Sequence, residues 1–380
     1  MTDDPPPHPA LLPSGLSDLL PPEAEREARA VALVMAAFAS HGYQRVKPPL
    51  VEFADGLLAG SGAAVADQTF RLVDPDSQRM LGLRADITPQ VARIAATRLV
   101  GAPRPLRLCY AGQCLRVHGS QIAPDRQIGQ AGIELIGSTS PAADAEIVVV
   151  GAEALATVGI ARASFDLTLP PLAPALIKAA GINGPARQAL AHALDRKDAA
   201  AVTRFGGVLA GTLTGLLLAA GPADRALAAL AAASLPAPAA LLAEQLAATV
   251  AAIRTLAPAL RITVDPIEFR GFRYHTGVCM TIYTSGRTEE LGRGGRYMTA
   301  DREPATGLTL YSDALLRAAP APSARPLVYL AENADPATAG RLRTEGYATL
   351  GALGHDEAEA ARLGCTHVLR GTTLAPLARE

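Results

Sequence analysis

Tryptophan is absent from this chain, and aromatic residues make up only 4% of its 380 positions. Lysine is nearly absent too, since Lys47, Lys178 and Lys197 are the only three and almost all positive charge is arginine. That disfavours a lysine-based phosphate loop and suits fork-like recognition of carboxylate or phosphate. Net charge is also missing: the formal value is -1, with 19% charged residues. Nothing global steers the chain toward nucleic acid or an anionic membrane. The four cysteines, Cys109, Cys114, Cys279 and Cys365, form no C-x-x-C pair and lack the histidine spacing of a zinc site. They read as buried reduced thiols, and no metal or cofactor is expected. The opening "MTDDPPPHPALLPSG" has neither a basic n-region nor an apolar h-region, so the cytoplasm is the expected compartment. One apolar stretch, Phe205 to Ala223, is uncharged and carries Gly207, Gly211 and Gly215 at G-x-x-x-G spacing. Its extra glycines, Pro222 and two threonines favour a closely packed helix of a soluble protein over a membrane span.

What is present is a chain long enough for two or three domains. A helix is predicted from the Pro21-Pro22 start, with Glu23, Glu25 and Glu27 early, to about Ser40. A short strand broken by Pro48 and Pro49 follows. "FRLVD" and "RMLGLR" form a hairpin pair, and a helix starts at Thr88-Pro89. "RPLRLCYAGQCLRV" and "IGQAGIELIG" read as antiparallel strands around a polar loop. After another helix and strand, Leu172 to about Pro258 is Ala/Leu-rich and helical. Strands resume with "RITVD", "GVCMTIYTS" and "TGLTLYS", and Asp313 starts a helix. From about Arg325 strands and helices alternate in a small α/β unit, whose residues 321–380 hold six arginines against seven carboxylates, a poor surface for RNA. The expected division is a flexible tail over 1–13, a core over 14–170 and 259–320, a helical insertion over 171–258, and a C-terminal α/β domain over 321–380.

Polar residues interrupt apolar runs at five places: Asp86 and Thr88 in "LRADITPQ", Arg116 in "CLRV", Gln130 and Glu134 in "QAGIEL", Arg270, Tyr274 and His275 in "EFRGFRYHTG", and Arg293 and Arg296 in "GRGGRY". Gln130 and Glu134, four apart, share one face of a strand. Each signal alone has a plain structural explanation. Asp86-x-Thr88 suits a helix cap, Gly294-Gly295 a turn, and a lone strand arginine a surface ion pair. Gln130 and Glu134 also suit a solvated strand face, and His118 and His275 read as structural histidines.

Taken in order, "HGYQRVKPPLVE", "LRADITP", "RQIGQAGIELIG", "RGFRYHTG", "GGRY" and "ATGLTLYSDALL" resemble the catalytic core of class II histidyl-tRNA synthetase over about residues 14 to 318. The resemblance implies an α+β fold: a synthetase-like antiparallel sheet core with flanking helices. It also implies that Asp86 and Thr88 hold the α-amino group of histidine. Gln130 and Glu134 would contact the amino group and imidazole, and Arg270 would approach the carboxyl end. The chemistry agrees, because an ammonium needs acceptors, a carboxylate a guanidinium, and an imidazole N–H a carboxylate.

Departures from the synthetase pattern fall on its other half. Ala314 stands at the motif 3 arginine that meets the ATP triphosphate, a contact that contributes about 1.5 to 3 kcal/mol. In motif 2, Arg116 and Arg126 remain, but His118 replaces a glutamate and Pro124 an arginine. Arg273 replaces an aspartate, His275 a tyrosine and Met298 an aspartate. The C-terminal unit is about half the length of an anticodon-binding domain. This pattern is similar to the synthetase-like paralogues that serve as regulatory subunits of ATP phosphoribosyltransferase in histidine biosynthesis. Such a resemblance implies no catalytic residue and a homodimer joining short-form catalytic subunits in a hetero-octamer. Feedback by free histidine would act through Asp86, Thr88, Arg116, Gln130, Glu134, Arg270, Tyr274 and His275, with no tRNA and no membrane as partner. The alternatives are an active histidyl-tRNA synthetase of unusual form and an ATP-dependent amino-acid ligase.

Overall fold

The computed structural model describes residues 11–119, 124–268, 274–321, 323–353 and 357–377. They form two compact units, one ending at Pro320 and one beginning at Ala321.

In the first unit the amphipathic helix α1 (Glu23–Ser40) buries Ala30, Val34, Met35 and Phe38, a stripe at helical spacing. Strand β1 (Gln44–Arg45) precedes Pro48-Pro49, and β2 (Val51–Phe53) follows it. After the single turn α2 (Ala54–Leu57), β3 (Arg71–Val73) and β4 (Met80–Leu83) pair antiparallel, and β4 also pairs β2 in a three-stranded sheet. Helix α3 (Thr88–Thr97) has its proline at the second position, where no backbone N–H is needed. Long strands β5 (Leu106–Leu115) and β6 (Gln127–Ile136) then pair antiparallel. Helix α4 (Pro141–Thr157), capped by the Ser140 hydroxyl, leads to β7 (Ala163–Thr168).

The helical stretch contains α5 (Leu172–Ala179), α6 (Gly184–Asp195), α7 (Ala199–Phe205), α8 (Ala210–Ala219), the two-residue strand β8 (Gly221–Pro222), α9 (Ala223–Ala232) and α10 (Ala237–Leu256). The single helix expected over Phe205 to Ala223 is therefore broken. Chain turns at Gly206-Gly207 and Ala220-Gly221 divide it, and a Cβ added at Gly211 or Gly215 would meet nothing within 4 Å, so this spacing marks no close packing. Among the described residues one helix, α10, is long and apolar enough to cross a bilayer. Its Leu246, Val250 and Ile253 are buried in the same core as α4, α5 and the sheet.

Strands β9 (Arg261–Asp265), β10 (His275–Thr284), β11 (Gly292–Met298) and β12 (Pro304–Tyr311), followed by helix α11 (Ser312–Ala318), complete a nine-stranded sheet of order β1-β5-β6-β12-β11-β10-β7-β9-β8. Its middle, β5 through β7, is antiparallel throughout, with parallel pairings of β1 to β5 and β7 to β9. "GRGGRY", expected as a turn, is thus a central strand. Gly295, at φ +152, leaves room for Cys279 and His275 of β10. One face of the sheet buries Ile133, Leu135, Leu308 and Leu310 against α1 and α4. Burying a side chain of this size contributes roughly 1.5–3 kcal/mol. The opposite face carries polar side chains and forms the site.

The second unit has strands β13 (Leu327–Leu330), β14 (Ala348–Gly351), β15 (His367–Arg370) and β16 (Thr373–Pro376) in the order β14-β13-β15-β16. Helix α12 (Pro336–Thr344), capped by Asp335, joins β13 to β14, and α13 (Glu357–Arg362) precedes β15. β16 pairs antiparallel with β15 and was not expected from sequence.

Candidate functional site

Alternation along four neighbouring strands sets one polar wall. On β6, Gln130, Gly132 and Glu134 share a face, and the register places Tyr110 of β5 opposite Gly132 and Gly307 of β12 opposite Glu134. Gly307 is required there, because a Cβ on it would stand 1.9 Å from Glu134 Oε2. Thr309 and Tyr311 continue that face on β12, as do Arg293 and Tyr297 on β11.

Glu134 is 1% exposed at the bottom of this wall. Tyr297 donates its hydroxyl to Glu134 Oε2 at 2.9 Å, and Tyr110 reaches Oε1 at 3.5 Å. The Tyr110 hydroxyl also lies 2.7 Å from Thr309 Oγ1 and 3.1 Å from Thr88 Oγ1. No guanidinium or ammonium is bonded to the carboxylate among the described residues. Burial consequently pushes the Glu134 carboxyl up to about 8, with the Thr88 and Tyr297 hydroxyls pulling it down and the Asp86 charge adding to the rise.

Asp86 has two positions of note, one as a local cap and one on the cavity wall. Its Oδ1 accepts the Thr88 N–H at 3.0 Å as a local cap, and the residue also lines the pocket. Asp86, Thr88, Glu134, Tyr274 and His275 all line a small cavity of about 30 Å³. Tyr274 and His275 stack, with ring centroids 4.1 Å apart, and Tyr274 meets Tyr297 edge-on at 6.0 Å. Five of its walls, Asp86, Tyr274, His275, Arg293 and Tyr311, also line a cavity of about 520 Å³, where Arg116 joins them. The small cavity is thus the deep end of a larger cleft.

Gln130 is not on the cavity surface. It is 2% exposed, and its side-chain oxygen accepts the Ile87 N–H at 3.0 Å and the Cys114 thiol at 3.3 Å, so it braces the turn carrying Asp86 and Thr88 from behind. Arg270 and Arg273 lie outside the described residues. Arg296 belongs to the opposite face: it holds Asp144 at 2.9 and 3.1 Å and donates to the Ser138 and Ser140 carbonyls, tying β11 to the start of α4. Sequence reasoning singled out Arg293 without giving it a ligand contact, and it left Tyr110, Tyr297, Gly307, Thr309 and Tyr311 out of the site.

The outer cleft surrounds Ala314. Among the described residues, five carboxylates line it (Asp86, Asp125, Glu289, Glu290 and Asp313) against three guanidiniums, Arg116, Arg293 and Arg317. Asp313 accepts the Gly129 N–H at 3.1 Å. Arg317 donates from Nε to both Glu289 oxygens at 3.1 Å and lies 3.8 Å from Asp125.

The histidyl-tRNA synthetase family profile matches residues 15–315. Over 374 residues, 98% of each chain, the sequence is 56% identical to the ATP phosphoribosyltransferase regulatory subunit of Gluconobacter oxydans. The chain belongs to the family of ATP phosphoribosyltransferase regulatory subunits. Its similarity to the regulatory subunit of Rhodospirillum centenum is 51% over 376 residues, 98% of this chain and 97% of that one. Among solved structures, a protein described as an ATP phosphoribosyltransferase regulatory subunit/histidyl-tRNA synthetase from Bacillus halodurans superposes with a TM-score of 0.81 at 21% identity, covering 97% of this chain and all of that one. Histidyl-tRNA synthetase from Nostoc gives 0.77 at 19% identity, over 94% and 90% of the two chains. These two show the class II histidyl-tRNA synthetase-like fold.

Proposed function

We propose that this regulatory subunit performs no chemistry of its own and reports free histidine to a short-form ATP phosphoribosyltransferase catalytic subunit, as a homodimer within a hetero-octamer in the cytoplasm. The observation that carries the reading is the contrast inside one cleft: a buried carboxylate ringed by hydroxyls at the deep end, and an excess of negative charge where a triphosphate would lie. Histidine spans both cavities. Its imidazole meets Glu134, its ammonium meets Asp86 and Thr88, and its carboxylate faces Arg116, with Arg270 as a further partner. Without a motif 3 cation, transition-state charge on a triphosphate loses one of its donors, a loss of roughly 10²- to 10³-fold in rate. A retained amino-acid pocket is suited to sensing, since a ligand that favours one state of the assembly shifts the partner's activity by its differential affinity.

The test is calorimetric titration of histidine into the complex of both subunits, beside inhibition curves, for wild type and Glu134→Gln. The substitution removes the group that shares a proton with the imidazole in the complex, and losing that hydrogen bond is expected to weaken binding by about 1.5 to 3 kcal/mol, roughly 10- to 100-fold. Inhibition should weaken in step. Unchanged binding and inhibition would mean that histidine acts elsewhere.

A further inference from the structure

Two guanidiniums in the outer cleft are already occupied from within the chain. The segment between β10 and β11 carries Glu289 and Glu290 side by side. Glu289 takes Arg317 in a two-oxygen grip, and Glu290 takes Arg293 through Nε at 3.1 Å and through Nη2. Arg317 is one helical turn beyond Ala314 on α11, and all these side chains line the same cavity. The pKa of Arg317 is raised chiefly by Glu289, and that of Arg293 by Tyr311 and then Glu290. Arg116, the third guanidinium, makes no ion pair with a described carboxylate.

The segment is anchored just past the glutamates. Leu291 is fully buried, its N–H bonds to the Ile282 carbonyl at 2.8 Å, and its own carbonyl accepts the Tyr311 N–H at 2.9 Å. The pairs themselves are about one-third to one-half exposed, and ion pairs of that kind are individually weak. Their effect does not depend on staying closed. A glutamate displaced from its arginine stays tethered within a few ångströms, inside the Debye length, and its charge still opposes an incoming anion.

We propose that Glu289 and Glu290 are specificity determinants that exclude polyphosphate ligands from the cleft while leaving Arg116 for a ligand with a single carboxylate. A nucleoside triphosphate or pyrophosphate needs several cations at once, and of the three guanidiniums that the described residues bring to the cleft, two are neutralised in place. The inference deepens the sensor reading of this cleft, because it explains how an amino acid is admitted without the nucleotide that a synthetase would bind with it.

Inorganic pyrophosphate is the probe, titrated calorimetrically into the full chain as wild type, Glu289→Gln/Glu290→Gln, and the double variant with Arg317→Ala added. Wild type should give no saturation in the low millimolar range, and the double variant should bind at least tenfold more tightly. Adding Arg317→Ala should remove much of that gain, since of the two released guanidiniums only Arg293 is then left. Equal binding by wild type, no binding by a double variant that melts like wild type, or a gain indifferent to Arg317→Ala would each overturn the proposal. If the double variant does not fold, the single glutamine variants carry the same comparison. Because the readout is pyrophosphate, the result does not depend on whether histidine binds, so failure here leaves the sensor reading to its own titration.

Discussion

Around Glu134 the protein packs neutral hydroxyls carried on adjacent strands directly against the carboxylate, whereas around Ala314 the described residues set five carboxylates against three guanidiniums, several of them on loops and a helix end. Strand-borne groups hold each other in register through the backbone ladder, so changing one disturbs the others. Side chains on loops and helix ends are replaced at less cost. Under the sensor reading proposed above, a scaffold loses a reaction without losing recognition because its deep pocket is tied to the fold and its outer cleft is not.

The largest effect should come from breaking the tied half. Gly307→Ala would drive a Cβ into the Glu134 carboxylate. We expect histidine affinity to fall about 100-fold, which titration can check against a melting curve for overpacking. Binding within threefold of wild type would show that the carboxylate position does not matter.

A pH series sharpens the same comparison. In the free state Glu134 keeps its proton up to about 8, and free histidine's imidazole has a pKa of about 6.5. If the complex shares one proton between them, none is gained or lost between those two values. Below about 6.5 binding expels a proton, and above about 8 it takes one up, so affinity should fall roughly tenfold per pH unit on each side. A profile flat from pH 6 to 9.5 would contradict this.

Tyr297→Phe should act more gently. It removes a hydrogen bond that lowers the Glu134 pKa, so the upper limb should move to higher pH while affinity drops about fivefold. An upper limb that moves down would reverse the assignment. Ala314→Arg should have the smallest effect of all. A new guanidinium there enters a cleft with five carboxylates, and histidine-dependent pyrophosphate exchange should remain at background. Exchange restored by this single change would mean that Ala314 alone was the missing part.

Much of the framework was legible because long strands and amphipathic helices announce themselves by period. The β5–β6 pairing, the α3 start at Thr88-Pro89 and the span of α1 to Ser40 all coincide with the structure. "GRGGRY" did not, because glycines that signal a turn locally were serving strands far away in sequence. Once β11 is a strand, residues three apart such as Arg293 and Arg296 must point to opposite faces. The site was legible where its chemistry is carried by charge, as with Asp86 and Glu134. Its hydroxyl ring was not, because Tyr110 and Thr309 meet across 199 positions and neither is unusual where it stands. Gln130 faced the expected way, but its partner is the Ile87 backbone, which no side-chain pattern reveals.

The central claim, recognition retained and reaction lost, is tested most directly by measuring both on one preparation of the wild-type assembly. Histidine is titrated by calorimetry, and histidine-dependent pyrophosphate exchange is followed with ATP on the same sample. Saturable histidine binding is expected, with exchange no higher than in a sample lacking histidine. Exchange above that level, or no histidine binding at all, would contradict it.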